Sequence, residues 1–216
     1  MNTVIAIDGP AASGKSTVAK LLAQRLNFLY VDTGAMYRTF AWLSHEADID
    51  PSSREAIKGL IADTEFETLP IDGKVQLRVN GQDLGDHIRS EAVNSAVSKV
   101  AAIPELREFL VNEQRKLRGR FKLVMEGRDI GTVVFTDTPH KYFIDADPEV
   151  RAQRRQAEGQ TDATAERDKM DRNRASAPLT KAADAQLIDS THQTPSEIVE
   201  IIIKEIEEIG MSTASL

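Results

Sequence analysis

The sequence predicts an α/β fold of three layers, in which helices cover both faces of a central parallel sheet. Short apolar runs typical of buried strands alternate along the chain with stretches of helical periodicity, and this alternation indicates a parallel sheet. The 216 residues are enough for one domain with a sizeable core. We expect its core to comprise residues 1–32, 103–148 and 176–216, with an insertion at 33–102 and a lid at 149–175.

The first part of the chain predicts two strand–helix pairs and then a small antiparallel insert. The segments 65–69 and 75–79 alternate polar and apolar residues, as half-exposed antiparallel strands do. Asp72-Gly73 and Asn80-Gly81 predict tight hairpin turns beside them. The two earlier pairs are a strand at 4–7 with a helix at 17–26, and a strand at 28–31 with a helix at 35–47.

The second part of the chain predicts further strands and helices around one polar segment. Asp147-Pro148-Glu149 and Thr194-Pro195-Ser196-Glu197 are helix starts, because each combines a capping side chain with a proline in the first turn. Residues 157–176 are dense in charge and lack apolar periodicity, so they predict a mobile loop. The other predicted elements are helices at 91–102 and 105–118, strands at 122–125, 142–144 and 186–188, and a last helix that ends at 209.

Charge and composition limit the possible classes of function. The net charge of −7 argues against general binding to nucleic acid or to an anionic membrane. The absence of cysteine excludes disulfides and thiolate catalysis. No apolar run approaches the roughly 20 residues of a membrane helix, and the N-terminus has no signal-peptide pattern. We therefore expect a cytoplasmic protein that binds neither nucleic acid nor membrane. We also expect a monomer.

A glycine-rich segment between the first strand and the first helix carries the clearest chemical signal. Gly9-Pro10-Ala11-Ala12-Ser13-Gly14-Lys15-Ser16 matches the phosphate-binding loop, or P-loop, in its required strand–helix context. Its backbone N–H groups point at phosphate oxygens, and the helix N-terminus adds a positive dipole end. Lys15 reaches the β- and γ-phosphates, and Ser16 can bind Mg²⁺. These residues, with Thr17, predict a site for ATP and Mg²⁺.

Transfer of a phosphoryl group to a second phosphate needs cationic groups outside this loop, because it brings two polyanions together. Arginine suits the task, since its guanidinium grips phosphate with two hydrogen bonds and stays charged. Any one of these side chains can equally be a solvated surface charge. The candidates are Arg38, Arg107, Arg128, Arg151, Arg154, Arg155, Arg167, Arg172 and Arg174.

Three blocks outside the P-loop give the chain a resemblance to a known family. They are residues 32–38, residues 126–135, and the run Arg167-Asp168-x-x-Asp171-Arg172-Asn173-Arg174. With the P-loop and the β-rich insert, they resemble the bacterial cytidylate kinases over nearly the whole chain. The resemblance implies a P-loop kinase that moves the γ-phosphoryl group of ATP, with Mg²⁺, onto CMP or dCMP. It also implies that region 33–102 binds the monophosphate.

The resemblance further implies roles for individual residues. An acid facing the cytosine amine and an arginine facing the ring acceptors form a complementary pair. The implied contacts are Thr33, Tyr37, Arg38 and Arg128 around the CMP phosphate, Ser98, Arg107 and Asp129 at the cytosine edge, Asp171 at the ribose hydroxyls, and Arg167 and Arg174 at the transferring phosphate.

The lid carries two of these residues. Arg167 and Arg174 lie seven residues apart, about two turns if the stretch is helical, so both can project from one face. The resemblance implies that they swing onto the transferring phosphate as the lid closes. The segment between Arg155 and Arg167 is shorter than in many members of the family.

The sequence leaves several alternatives open. Asp129 could be a structural partner of Arg128, Asp171 an acid on a helix surface, and Ser98 a packed helix serine. A rival enzyme is a kinase acting on UMP or on a metabolite hydroxyl, and a different class is a nucleotide-dependent switch without useful turnover. The lid arginines argue against the switch, since binding alone does not require them.

Overall fold

The structure is a computed structural model that describes residues 2–157 and 164–210. Within these ranges, the strands are β1 (Val4–Asp8), β2 (Leu29–Asp32), β3 (Phe66–Ile71), β4 (Lys74–Val79), β5 (Gln82–Asp83), β6 (Leu123–Gly127), β7 (His140–Asp145) and β8 (Gln186–Asp189). The α-helices are α1 (Lys15–Leu26), α2 (Thr33–Glu46), α3 (Arg54–Asp63), α4 (Glu91–Val100), α5 (Pro104–Arg118), α6 (Pro148–Ala157), α7 (Thr164–Arg172) and α8 (Pro195–Glu208). Short 3₁₀ and π-helical turns occupy Gly85–Arg89 and Ile130–Val134.

One sheet runs through the molecule in the order β3-β4-β2-β6-β1-β7-β8, with β5 paired to β4. The five strands from β2 to β8 in this order are parallel. In the register of its centre, Val4 lies opposite Leu123 and Ile5 opposite His140. The predicted central parallel sheet is therefore confirmed.

Helices cover both faces of this sheet because its strands are apolar on both sides. In β1, Ile5 and Ile7 pack with α1 and α8, whereas Val4 and Ala6 pack in a separate cluster with α5 residues such as Val111. This alternation is what a strand buried on both faces requires. The three-layer prediction is confirmed, and no helix in the described part of the chain is long and apolar enough to cross a membrane.

The predicted antiparallel insert is also present. β3 and β4 pair from Phe66 opposite Val79 to Ile71 opposite Lys74. The turns at Asp72-Gly73 and Asn80-Gly81 place both residues at positive φ, between 50° and 77°. That geometry matches the right-handed twist of the flanking strands.

Two expectations from the sequence are wrong in detail. The mobile loop predicted for 157–176 contains α7, whose buried side is made of ion-paired acids and so shows no apolar periodicity. Arg174 lies beyond the end of α7, so it does not share a continuous helix with Arg167.

The shortened segment of the lid falls largely at 158–163, outside the described residues. Helix α3 was not predicted, although its Ser53 cap is a readable signal.

Candidate functional site

A cavity of about 440 Å³ opens at the carboxyl edge of the parallel sheet. Ligands of open α/β sheets bind at this edge, where the loops after neighbouring strands meet. The predicted site residues that line the cavity are Ala11, Ala12, Gly14, Lys15, Ser16, Thr17, Thr33, Tyr37, Arg38, Ser98, Arg128, Asp129, Arg167, Asp171 and Arg174. The remaining predicted residues, Gly9, Pro10, Ser13 and Arg107, lie outside this lining.

The P-loop connects β1 to α1 in a tightly constrained path. A Cβ atom on Gly9 would lie 2.0 Å from the carbonyl oxygen of Ile144, so only glycine fits there. Ala12 and Gly14 adopt left-handed conformations, with φ of 57° and 83°. The loop ends at Lys15, the first residue of α1, which leaves the free N–H groups of that helix facing the cavity.

Lys15 is the buried cation of this loop. Its Nζ donates a hydrogen bond to the carbonyl oxygen of Pro10 at 3.0 Å. Burial and, to a lesser extent, the nearby guanidinium of Arg128 lower the pKa of Lys15 to about 7, against the opposing effect of Glu126. A polyphosphate bound beside the ammonium would favour its charged form.

Oxygen atoms suited to Mg²⁺ lie next to the P-loop. The Ser16 hydroxyl donates to Oε2 of the buried Glu126 at 2.7 Å, and the Tyr30 hydroxyl donates to Oε1. Mg²⁺ is bound by a few protein oxygens together with substrate phosphates and water, so this donor set fits the ion. No group of three potential metal-ligating side chains occurs among the described residues. Glu126 was not predicted as a site residue, although it stands two positions before Arg128.

Asp32 organises the next part of the cavity wall. Its carboxylate caps α2 by accepting from the backbone N–H of Ala35 at 2.9 Å. It also pairs with Arg38 at 2.8 Å and with Arg89 at 3.6 Å. Burial alone would raise the pKa of Asp32, but Arg38, the Ala35 N–H and Arg89 together hold it below its usual value. Arg89, which also lines the cavity, was missed as a site residue.

Asp129, at another part of the wall, belongs to a buried ion pair. Arg107 Nη2 contacts Asp129 Oδ2, and both side chains are nearly inaccessible to solvent. The Arg107 guanidinium also lies 5.7 Å from the ring centre of Tyr37, whose pKa burial raises to about 12. Asp129 thus pairs with Arg107, not with Arg128 as the structural alternative supposed.

Asp171 brings together residues from three other elements. Its carboxylate accepts from Arg128 Nε at 3.0 Å, Arg174 Nη2 at 2.5 Å and the Ser98 hydroxyl at 3.2 Å. Burial alone would raise the pKa of Asp171, but Arg128 and Arg174 lower it. Asp171 is therefore not an acid on a helix surface, and Ser98 is not merely packed.

The charge of this cavity is opposite to that of the whole chain. Among the described residues, eight lysine and arginine side chains line it, against four carboxylates. The whole chain has a net charge of −7. A local excess of cations in an acidic protein is the arrangement expected of a site for polyanions.

Comparisons with known proteins agree with this geometry. The family model described as cytidylate kinase matches residues 5–208. A cytidylate kinase of Clostridium botulinum is 41% identical over 96% of this chain and 99% of its own length. A cytidylate kinase of Geobacillus thermodenitrificans is 43% identical over 94% of this chain and 96% of its own length.

A third relative has a different domain content. The bifunctional pantoate ligase/cytidylate kinase of Prochlorococcus marinus is 41% identical over 96% of this chain, which covers 42% of that protein. The match with a family model over nearly the whole chain and the high coverage of the first two relatives confirm the resemblance predicted from the motifs. The chain belongs to the cytidylate kinase family.

Proposed function

We propose that this protein transfers the γ-phosphoryl group of ATP to CMP or dCMP, forming ADP and CDP or dCDP. One observation supports it above all. The P-loop and an independent set of arginines share one cavity with an excess of cations, as a site that joins two phosphorylated substrates needs. The family membership supplies the identity of the acceptor.

On the donor side, the P-loop backbone and Lys15 would bind the β- and γ-phosphates of ATP. Ser16, with Glu126 beside it, would hold Mg²⁺, which when bound neutralises charge on those phosphates. No acid–base pair or covalent intermediate is required, because positioning and electrostatic stabilisation account for most of the rate in phosphoryl transfer.

On the acceptor side, region 33–102 would hold CMP, with Thr33, Tyr37, Arg38 and Arg128 around its phosphate. The buried pair of Arg107 and Asp129 would present a donor and an acceptor to the cytosine edge, together with Ser98.

The segment 149–175 would act as the lid that excludes water from the transfer. When CMP binds, Asp171 would accept hydrogen bonds from the ribose hydroxyls in place of those from the arginines. Arg128 and Arg174 could then bind phosphate. Arg167 would join Arg174 at the transferring phosphate.

A coupled assay of ADP release with CMP, dCMP, UMP, AMP and shikimate tests this function. We expect CMP to be used best. For UMP, kcat/KM should be lower by at least about tenfold, because its carbonyl replaces the amine facing Asp129. For dCMP, it should stay within about 100-fold of CMP, since one hydrogen bond to a charged group is lost.

The rival functions give different results in the same assay. Equal turnover of UMP would contradict cytosine selection, preference for shikimate would indicate a metabolite kinase, and ATP binding without turnover of any acceptor would indicate a switch. The cytoplasmic location and the monomeric state stay predictions from the sequence.

A further inference from the structure

A buried ion pair outside the cavity lining holds one residue of the P-loop. Arg151 of α6 and Asp168 of α7 pair through Nη1 and Oδ2, and their side chains are 7% and 6% exposed. Arg151 Nη1 also donates to the carbonyl oxygen of Ala11 at 3.2 Å, while the Ala11 N–H donates to Asp168 Oδ1 at 3.2 Å. Both backbone polar groups of Ala11 are therefore held by this one pair.

The backbone conformation of the next residue, Ala12, explains why Ala11 needs this restraint. Ala12 has a left-handed φ of 57°, which a residue with a Cβ rarely adopts because of steric contact with its own backbone. Conformations of this kind persist only where the surrounding structure over-determines them. The Arg151–Asp168 pair supplies that restraint on the N-terminal side of Ala12.

A second contact restrains the other side. The carbonyl oxygen of Ser13 accepts from the Ser190 hydroxyl at 2.7 Å. Ser190 is in turn held by Arg154, through its hydroxyl at 3.1 Å and its carbonyl oxygen at 2.7 Å. Arg151 and Arg154 lie three residues apart on α6, so one face of this helix serves both contacts.

The same pair also locates α7. Asp168 follows Arg167 directly and precedes Asp171 by one helical turn. Holding Asp168 against Ala11 therefore fixes the position of α7 relative to the P-loop. This contact, together with those of Asp171 to Ser98 and Arg128, sets the distance between the P-loop and the residues that α7 carries.

From these contacts, and resting on the proposed function for the identity of the donor, we propose that Arg151 and Asp168 are positioning residues for ATP. They hold Ala11 and Ala12 in the conformation that binds phosphate and dock α7 on the loop. A buried pair of charges is costly to desolvate and is weak evidence for a purely stabilising role. Its placement on the backbone of the P-loop indicates a role in binding the triphosphate.

The test compares Asp168→Asn and Arg151→Lys with Asp137→Asn. Asp168→Asn keeps an oxygen that can accept from Ala11 but removes the charge opposite Arg151. Arg151→Lys keeps the positive charge but loses the planar guanidinium group and its several N–H donors. Asp137→Asn is the matched control, because it breaks the Arg118–Asp137 pair, which is far more exposed and lies outside the cavity.

Calorimetric titration measures the affinity of each variant for ATP without CMP, and for CMP without ATP. We expect Asp168→Asn and Arg151→Lys each to weaken ATP binding by about tenfold or more, because each removes a contact that supports the binding site from behind. CMP affinity should fall less than ATP affinity, because Asp171 is the one proposed CMP contact on α7, and the control should match the wild type. With CMP as acceptor, KM for ATP should rise more than KM for CMP.

Two results would overturn the proposal. One is an equal loss of affinity for both nucleotides, and the other is a lower unfolding temperature with ATP affinity intact; either would make the pair merely structural. Failure of the proposed function remains distinguishable, because a wild-type protein that binds ATP but does not phosphorylate CMP still allows the comparison of ATP affinities.

Discussion

The two ends of the cavity are built in different ways. The donor end comes from one continuous segment, the P-loop, whose proposed ligand-binding groups are mainly backbone N–H groups and one lysine. The acceptor end comes from side chains on α2, α4, the loop after β6, and the segment from α7 to Arg174. Arg107 of α5 lies outside the lining and pairs with Asp129. A site made from local backbone depends on residue spacing, whereas a site made from distant side chains depends on how the elements pack.

The two ends also differ in how their cations are held. The acceptor arginines are paired with carboxylates: Arg38 with Asp32, Arg107 with Asp129, and Arg128 and Arg174 with Asp171. Lys15 instead donates to a backbone carbonyl. We therefore expect substitutions at the donor end to reduce rate most strongly, and substitutions in the acceptor pairs to change rate and specificity by smaller factors.

The largest effect is expected at the donor end. Lys15→Ala should lower kcat by about 100- to 1,000-fold, because it removes a buried charge placed where the transition state is anionic. Steady-state kinetics with saturating CMP measures it, and Lys58→Ala, on an exposed lysine of α3, is the control. Turnover near the wild-type value in a folded Lys15→Ala protein would show that this loop does not work as proposed.

Arg174 tests whether the lid acts on the rate. Arg174→Ala should lower kcat by about 100-fold with little change in KM for CMP, as expected for a group used mainly in the transition state. Arg172→Ala is the matched control, since Arg172 lies two residues away but is exposed. If Arg172→Ala is the more damaging change, or if Arg174→Ala keeps its kcat, the proposed role of Arg174 is wrong.

Asp129 tests whether the acceptor end selects the base. Asp129→Asn keeps the shape of the side chain but adds an amide donor that can face the carbonyl of UMP. The ratio of kcat/KM for CMP to that for UMP should fall by about tenfold. Glu105→Gln is the control, because Glu105 lies on the same helix as Arg107 and forms an exposed ion pair with Arg54. It should leave the ratio unchanged. An unchanged ratio in Asp129→Asn would place base selection elsewhere.

The smallest effect concerns pH at the donor end. Lys15, with a pKa near 7 in the free protein, is charged below that pH and neutral above it, and ATP favours the charged form. ATP affinity should therefore fall as pH rises, by about fivefold from pH 7 to pH 8. Calorimetry over this range measures it, and Lys15→Arg, which stays charged, corrects for the titration of ATP itself. Parallel pH profiles in the two proteins would contradict this assignment.

The pattern of strands and helices could largely be predicted from the sequence, because each core strand is an apolar run and each P-loop or turn residue acts through its own backbone. The antiparallel insert followed from Asp72-Gly73 and Asn80-Gly81 for the same reason. Helix α7 could not be predicted from periodicity. It buries Asp168 and Asp171 in ion pairs instead of apolar side chains, and a charged sequence of this kind resembles a solvated loop.

The sequence by itself determined the parallel sheet and the P-loop, since these depend on local periodicity, spacing and residue type. Its resemblance to the cytidylate kinases supplied the candidate residues of the acceptor end. Only the tertiary structure decided the partners: Asp129 with Arg107, Asp171 with Arg128 and Arg174, Glu126 with Ser16, and the Arg151–Asp168 pair with Ala11. Residues so far apart in the chain meet because parallel strands bring their carboxyl ends to one edge of the sheet. Which charges then pair depends on distances of a few ångströms that no sequence spacing specifies.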